Sequence, residues 1–214
     1  MSPRRRDSEV TAAARAERRA ELLATAAEVF ATRGYASTTV REVADAAGML
    51  GGSLYYHFDS KESMVDEILS AFLTDMWDAY ERVLAAGHGP RRTVEELVAE
   101  SFRMIDRHRP AVVIYQNEAR YLEATGPRFA YLTESRRRFR EMWLSVLDRG
   151  VLEGVFRAGL DTALAYRFIR DTVWVAAGWY RAGGRLGAAE IARQYVAMVL
   201  EGILADRGET GRSG

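Results

Sequence analysis

No cysteine occurs in the 214 residues, so the chain builds neither a disulfide framework nor a thiolate metal site. Histidine is nearly as scarce. His57, His88 and His108 are the three present, and they stand too far apart to mark a metal cluster by spacing. No apolar run approaches the roughly 18 residues of a bilayer span, and the N-terminus lacks the apolar h-region of a secretory signal. These absences predict a cytoplasmic protein with no metal and no membrane partner. Net charge is missing too, since 30 basic residues balance 30 acidic ones, which removes the simplest argument for a nucleic-acid partner. Distribution along a chain matters more than the total. Arg4, Arg5, Arg6, Arg15, Arg18 and Arg19 crowd the first twenty residues against Asp7, Glu9 and Glu17. Lysine is absent except for Lys61, an imbalance that GC-rich codon usage explains without a functional cause.

Catalytic groupings are lacking as well. No nucleophile stands with a nearby base, no glycine loop is long enough to cradle a phosphate, and no Glu-x-x-His pair suggests a di-metal bundle. The nearest approach is Asp106 with His108, between Arg107 and Arg109. His108 falls just ahead of Pro110, where a histidine more often serves the end of a helix than chemistry. Gly51-Gly52 and Gly183-Gly184 are too short for nucleotide loops. The chain therefore reads as a non-enzyme that carries no cofactor.

What is present is organised around Thr39–Lys61. Thr39 followed by Glu42 forms a capping box, and Val40, Val43, Ala44 and Ala47 give an apolar face at helical spacing. Gly48 can take the left-handed conformation that closes a helix, with Met49 and Leu50 filling the turn. Gly51-Gly52-Ser53 opens a second short helix through Leu54, Tyr55, Tyr56, His57 and Phe58. Helix, glycine-containing turn, helix is the layout of a DNA-binding helix-turn-helix.

The rest of the chain also reads as helix. A first helix is expected over Ala12–Arg33, preceded by a disordered basic arm (1–11) that can reach a minor groove. Residues 12–60 then form the DNA-binding domain. Ser60 caps a linking helix, 61–85, whose inward stripe is Val65, Ile68, Leu69, Phe72 and Met76. Gly87-His88-Gly89-Pro90 breaks the chain before a second domain, 86–207. Helices are expected there over 93–108, with Thr93 as cap and Glu96 completing its box, then over 111–124, 127–153, 162–182 and 188–206. Asp161 or Thr162 caps the penultimate helix, and residues 208–214 form a disordered tail. The 162–182 helix is apolar almost all round, so it must be covered on both sides. The core of its own domain can cover one side and a second subunit the other, although a large monomer core would show a similar pattern.

Gly48, Gly52, Leu54, Tyr55, His57, Phe58, Ser60, Lys61 and Glu62 together resemble the TetR family of bacterial transcriptional regulators. The resemblance implies an all-α fold, with an N-terminal three-helix DNA-binding domain and a larger C-terminal helical domain for ligand binding and dimerisation. It implies a homodimer whose last two helices form a four-helix bundle with their copies, with Trp179, Tyr195, Met198 and Gly202 facing the twin. A two-fold pair then sets two recognition helices about 34 Å apart on a double-stranded DNA operator. Gly51 and Gly52 allow close approach, while Ser53, Tyr55 and Tyr56 offer hydroxyls to bases or phosphates. Thr39, His57 and Lys61 are expected at phosphates, and Arg4, Arg5 and Arg6 in the arm.

Gly48–Tyr55 and Trp179–Gly184 further look like the actinobacterial branch that represses steroid and fatty-acid breakdown and responds to coenzyme A thioesters, although that branch often carries proline where Ala182 stands. Arg167 has Asp171 as a natural partner four residues on, whereas Arg170 has none at helical spacing. Arg170, Trp174 and Tyr166 are thus candidates for one wall of an effector pocket, with an acyl-coenzyme A as ligand. A hydrophobic effector of the drug-efflux type, or an architectural DNA-binding protein with no ligand, are the alternatives.

Overall fold

The computed structural model describes residues 3–201, with side chains from residue 13 to residue 200. Nine α-helices and one short 3-10 turn make up this part, and no strand occurs among the described residues. No described helix is long and apolar enough to cross a membrane.

Helix α1 spans Pro3–Arg33. The arm expected to be disordered to residue 11 is thus helical from Pro3. Proline suits a first turn, where its missing N–H would have had no partner, and no glycine or proline follows before Gly34 to stop the helix. Leu22, Ala26 and Phe30 form its buried stripe. Gly34 ends it at φ +84°, a conformation that glycine adopts without steric cost.

Helix α2 (Val40–Ala46) opens on the expected capping box. Glu42 N–H donates to Thr39 Oγ1 at 3.2 Å, and Thr39 N–H donates to Glu42 Oε2 at 2.8 Å. Gly48 follows at φ +67°. Helix α3 is a single turn, Gly51–Leu54, continued by bonds from His57 and Phe58 N–H to the Leu54 carbonyl. Leu54 and Phe58 are buried against α1 and the long helix α4, Lys61–Ala85. Ser60 caps α4, and the partner that closes its box is Ser63.

Arg19 clamps α1 to α4. Its guanidinium pairs with both Glu67 oxygens and lies 4.4 Å from the centre of the Phe58 ring. Part of the basic character near the N-terminus is therefore structural.

In the second domain, α5 runs from Pro90 to Thr125 as two helical stretches joined across a kink at His108. One expectation changes here. Gly89 occupies the cap position with Pro90 at the first turn, while Thr93 is buried one turn in and donates to the Gly89 carbonyl at 3.1 Å. Proline's fixed φ defines that start more strongly than a threonine cap. The break expected between His108 and Ala111 stands as a kink at His108 (φ −124°, ψ 31°), where Pro110 lacks an N–H for the carbonyl four residues back.

A 3-10 turn, Pro127–Phe129, leads into α6 (Ala130–Leu152). Asp161 caps α7, Thr162–Trp174. A further turn, α8 (Ala176–Trp179), ends at extended Tyr180 rather than at Ala182. Helix α9 is Ala188–Glu201. The core is continuous from α1 through α9, with Phe72 of α4, Phe102 of α5 and Phe156 of the α6–α7 loop fully buried.

Candidate nucleic-acid interface and ligand cavity

The α2–turn–α3 segment presents a polar and aromatic surface held from behind by Leu54 and Phe58. Tyr55 and Tyr56 project outward, Tyr56 at 82% exposure. Ser53 is half-buried, and a Cβ at Gly51 or Gly52 would meet nothing within 4 Å. The two glycines are therefore not demanded by packing inside the chain. Leu50, expected as turn filling, instead points into solvent at 81% exposure.

Of the three residues expected at phosphates, Thr39 and Lys61 are hydrogen-bonded within the protein. Thr39 donates its hydroxyl proton to Glu42 Oε2 at 2.9 Å and accepts from the Glu42 N–H. The Thr39 N–H bond holds the Glu42 carboxyl below its usual range. Lys61 Nζ donates to the Tyr35 and Thr38 carbonyls, each at 2.9 Å, and lies 4.3 Å from the centre of the Tyr35 ring. It fastens the α1–α2 corner to α4. His57 is half-buried, with Nδ1 enclosed and without a hydrogen-bond partner. The side chains of Arg4, Arg5 and Arg6 lie outside the described residues.

A cavity of about 540 Å³ opens between α4, α5, α6 and α7. Its inner wall is aromatic and apolar, with Phe72, Met76, Trp143, Ile169 and Trp174. Trp174 meets Phe72 edge-on at 6.2 Å between ring centres. Buried Tyr80 and Ser101 satisfy each other's hydroxyls at 2.6 Å. Burial pushes the Tyr115 phenol up to about 12 and also raises Tyr166, so both rings present neutral hydroxyls.

Of the expected effector residues, Arg170, Trp174 and Tyr166 all line this space. Arg170 is not partnerless. Its Nε meets Asp171 Oδ1 at 2.7 Å, so the adjacent carboxylate serves Arg170 rather than Arg167. Four other arginines line the cavity: Arg120, Arg136, Arg137 and Arg140. Arg136 pairs with Glu123, and Arg137 with Glu134 and Glu141. Arg120 and Arg140 are exposed and have no carboxylate partner among the described residues. The sequence gives no sign of this pair, because α5 and α6 bring together residues twenty apart.

The cavity also touches the DNA-binding domain through α5. Tyr115, Gln116, Ala119 and Arg120 line it, and Glu118, on another face of the same helix, accepts a hydrogen bond from the Tyr35 N–H at 3.2 Å. Tyr121 lies 6.4 Å from the Tyr35 ring.

An apolar stripe remains uncovered on α7–α9. Leu164, Phe168, Val175, Trp179 and Met198 are exposed, Met198 at 73%. Trp179 and Met198, expected to face a twin subunit, are exposed in the single chain. Tyr195 is half-buried, its hydroxyl 2.6 Å from Thr172 Oγ1 and its ring 5.9 Å from Phe102. Its packing is within the chain. Gly202 lies outside the described residues.

Residues 22–68 match the family described as "Bacterial regulatory proteins, tetR family", and residues 88–203 match "Tetracyclin repressor-like, C-terminal domain". The HTH-type transcriptional repressor KstR2 of Rhodococcus jostii (strain RHA1) is 53% identical over 186 residues, covering 87% of this chain and 91% of the relative. The solved structure of the ketosteroid transcriptional regulator KstR2 of Mycobacterium tuberculosis superposes with a TM-score of 0.85 at 48% identity, over 88% of this chain and 96% of that one. AibR, solved in complex with isovaleryl coenzyme A and operator DNA, shares the fold, with a TM-score of 0.71 at 23% identity over 85% of this chain and 97% of that one.

Proposed function

The chain belongs to the TetR family of bacterial regulatory proteins, as a helix-turn-helix transcriptional repressor and not an enzyme, and we propose that a bulky apolar acyl-coenzyme A releases it from its operator. The cavity carries this reading. About 540 Å³ of space, with an aromatic wall facing an arginine-lined side, is within the range of small-molecule sites, and it suits an acyl body rather than a whole coenzyme. Exposed Arg120 and Arg140, without carboxylate partners among the described residues, supply positive charge for anionic groups that remain outside. Similarity to a ketosteroid transcriptional regulator of Mycobacterium tuberculosis favours a polycyclic or steroid-derived acyl group over a simple chain.

The working form is a cytoplasmic homodimer. Leu164, Phe168, Val175, Trp179 and Met198 stand exposed on α7–α9, and exposed apolar side chains gathered on neighbouring helices support an interaction site there. On DNA, the Gly51–Tyr56 surface enters the major groove, Gly51 and Gly52 permit close approach, and Ser53, Tyr55 and Tyr56 meet base edges or phosphates. Thr39 and Lys61 act behind that surface. Their donors hold the capping box and the α1–α2 corner, so they set the angle at which the groove is met.

Release follows if the effector binds the two states unequally. The acyl body sits against Phe72 and Met76 of α4 and against Tyr115 and Ala119 of α5. Both helices continue to the DNA-binding domain, α4 through Lys61 and α5 through Glu118.

The test is a titration of the operator complex with coenzyme A thioesters of increasing acyl bulk, with free coenzyme A and the free acids as controls. Thioesters of bulky apolar acids should dissociate the complex, while both controls leave it intact. Arg170→Met should keep operator affinity within twofold while raising the thioester needed by at least tenfold. If thioesters of every size leave the complex unchanged, the effector reading is wrong and the DNA-binding role stands alone.

A further inference from the structure

Between residues 13 and 120, the large hydrophobic side chains that stand exposed are Leu50, Tyr55 and Tyr56, all within seven residues of one another. The tyrosines have hydroxyls that make exposure tolerable. Leu50 has nothing polar, yet it is 81% exposed. Its position makes this more unusual. Leu50 is the cap residue of α3, in extended conformation (φ −69°, ψ 140°), and no side-chain bond caps that turn. Serine, threonine, aspartate or asparagine there would satisfy a free N–H, and losing such a cap costs about 1 kcal/mol. The chain therefore carries an apolar side chain in solvent at a place where local stability favours a small polar one.

The surroundings leave that side chain accessible. Gly51 and Gly52 follow it, and a Cβ at either would have no neighbour within 4 Å. On the buried side, Leu54 and Phe58 fix the segment, so Leu50 is held outward by a turn that is itself anchored. The Leu50 carbonyl accepts the Ser53 N–H at 2.9 Å, which ties its backbone to the same turn as the polar reading groups.

We infer that Leu50 reads thymine, its side chain resting against C5-methyl groups in the major groove. The inference rests on the DNA-binding reading above, in which this surface enters the groove. In that groove the thymine methyl is the one apolar mark among donors and acceptors, and it separates T·A from C·G. Ser53, Tyr55 and Tyr56 can exchange hydrogen bonds with base edges, but none of their hydroxyls can recognise a methyl. Leu50 supplies the apolar member of the set. Burying one such group is worth ~0.8 kcal/mol, about fourfold in affinity per half-site.

Replacing thymine by uracil removes only the methyl, which makes a direct test. The full-length protein, without effector, is used to enrich a duplex from a random-sequence library. That duplex is then synthesised with single T→U replacements made symmetrically in both half-sites. Binding of the wild type and of Leu50→Ala is measured on each. At one or two positions, the replacement should weaken the wild type by about fourfold per half-site and Leu50→Ala by less than 1.5-fold. Melting temperatures of the two proteins should agree, because Leu50 packs against nothing. If every T→U replacement affects both proteins equally, or if neither responds to any, the thymine assignment is overturned while the DNA-binding role stands. If no duplex is enriched above background, the DNA-binding reading fails and this inference fails with it.

Discussion

Lys61 is the side chain whose role changes most between sequence and structure. A basic residue just past a recognition helix reads as a phosphate ligand, but its ammonium bonds the Tyr35 and Thr38 carbonyls and sits on the Tyr35 ring. Hydrogen bonds from a charged donor contribute roughly 1.5–3 kcal/mol. Lys61→Met should therefore lower thermal stability by about 2 kcal/mol and weaken operator binding, yet leave the salt dependence of binding unchanged. Tyr56→Ala, on an exposed side chain, should keep the melting temperature and relax specificity at one position of each half-site by ~1–3 kcal/mol. Thermal melts beside binding to operator and scrambled DNA across salt separate the two. A salt slope reduced by about one in Lys61→Met would return the residue to a phosphate. No spacing rule could have revealed its carbonyl partners, because Tyr35 and Thr38 lie 26 and 23 residues earlier. Arg170 teaches the converse lesson. Helical spacing excluded an i+1 partner, but a long guanidinium bent round to Asp171 all the same.

At the scale of elements, local chemistry was the most legible part. Thr39, Gly48, Ser60 and Asp161 do what their residue types suggest, because a cap or a left-handed glycine depends on three or four neighbouring residues. Where two local signals competed, the sequence alone misjudged. Gly89-Pro90 displaced Thr93 as the start of α5, whereas the break read at Pro110, with no competing signal, stands as the kink at His108. The cavity was legible only along α7. Phe72, Met76 and Trp143 have the spacing of ordinary core residues, and nothing in a helical stripe tells a packed face from one that borders a void. Helix α5 joins that void to the α1–α2 corner through Glu118. Glu118→Ala should leave the affinity of the DNA-free protein for a releasing thioester unchanged, since Glu118 does not line the cavity. The thioester's effect on operator affinity should shrink by several-fold, within the ~1–3 kcal/mol typical of coupled sites. Tryptophan fluorescence reads the first quantity and operator titration at fixed thioester the second. Equal loss of both would mean that the contact serves stability alone.

For the whole molecule, the proposed dimer rests on the side chains exposed on α7–α9. Phe168→Glu and Met198→Glu place charge on side chains exposed in the single chain, so each protomer should remain folded by circular dichroism. Sedimentation should show a dimer for the wild type and a monomer for the double variant, with operator binding lost because two half-sites are no longer held together. A wild-type monomer at micromolar concentration would contradict the assembly. Another molecule-wide feature bears on the company such a repressor keeps. Of the 30 basic residues, Lys61 alone is lysine. Arginine carries charge but stays protonated and does not attack carbonyls, whereas a lysine amine can displace a thiol from a thioester and end as an amide. Under the proposed acyl-coenzyme A reading, a thioester thus meets one side-chain amine in the whole chain, and that amine is bound to two backbone carbonyls. Codon usage accounts for the arginine bias; its consequence under that reading is that a thioester ligand binds repeatedly with no free lysine to acylate.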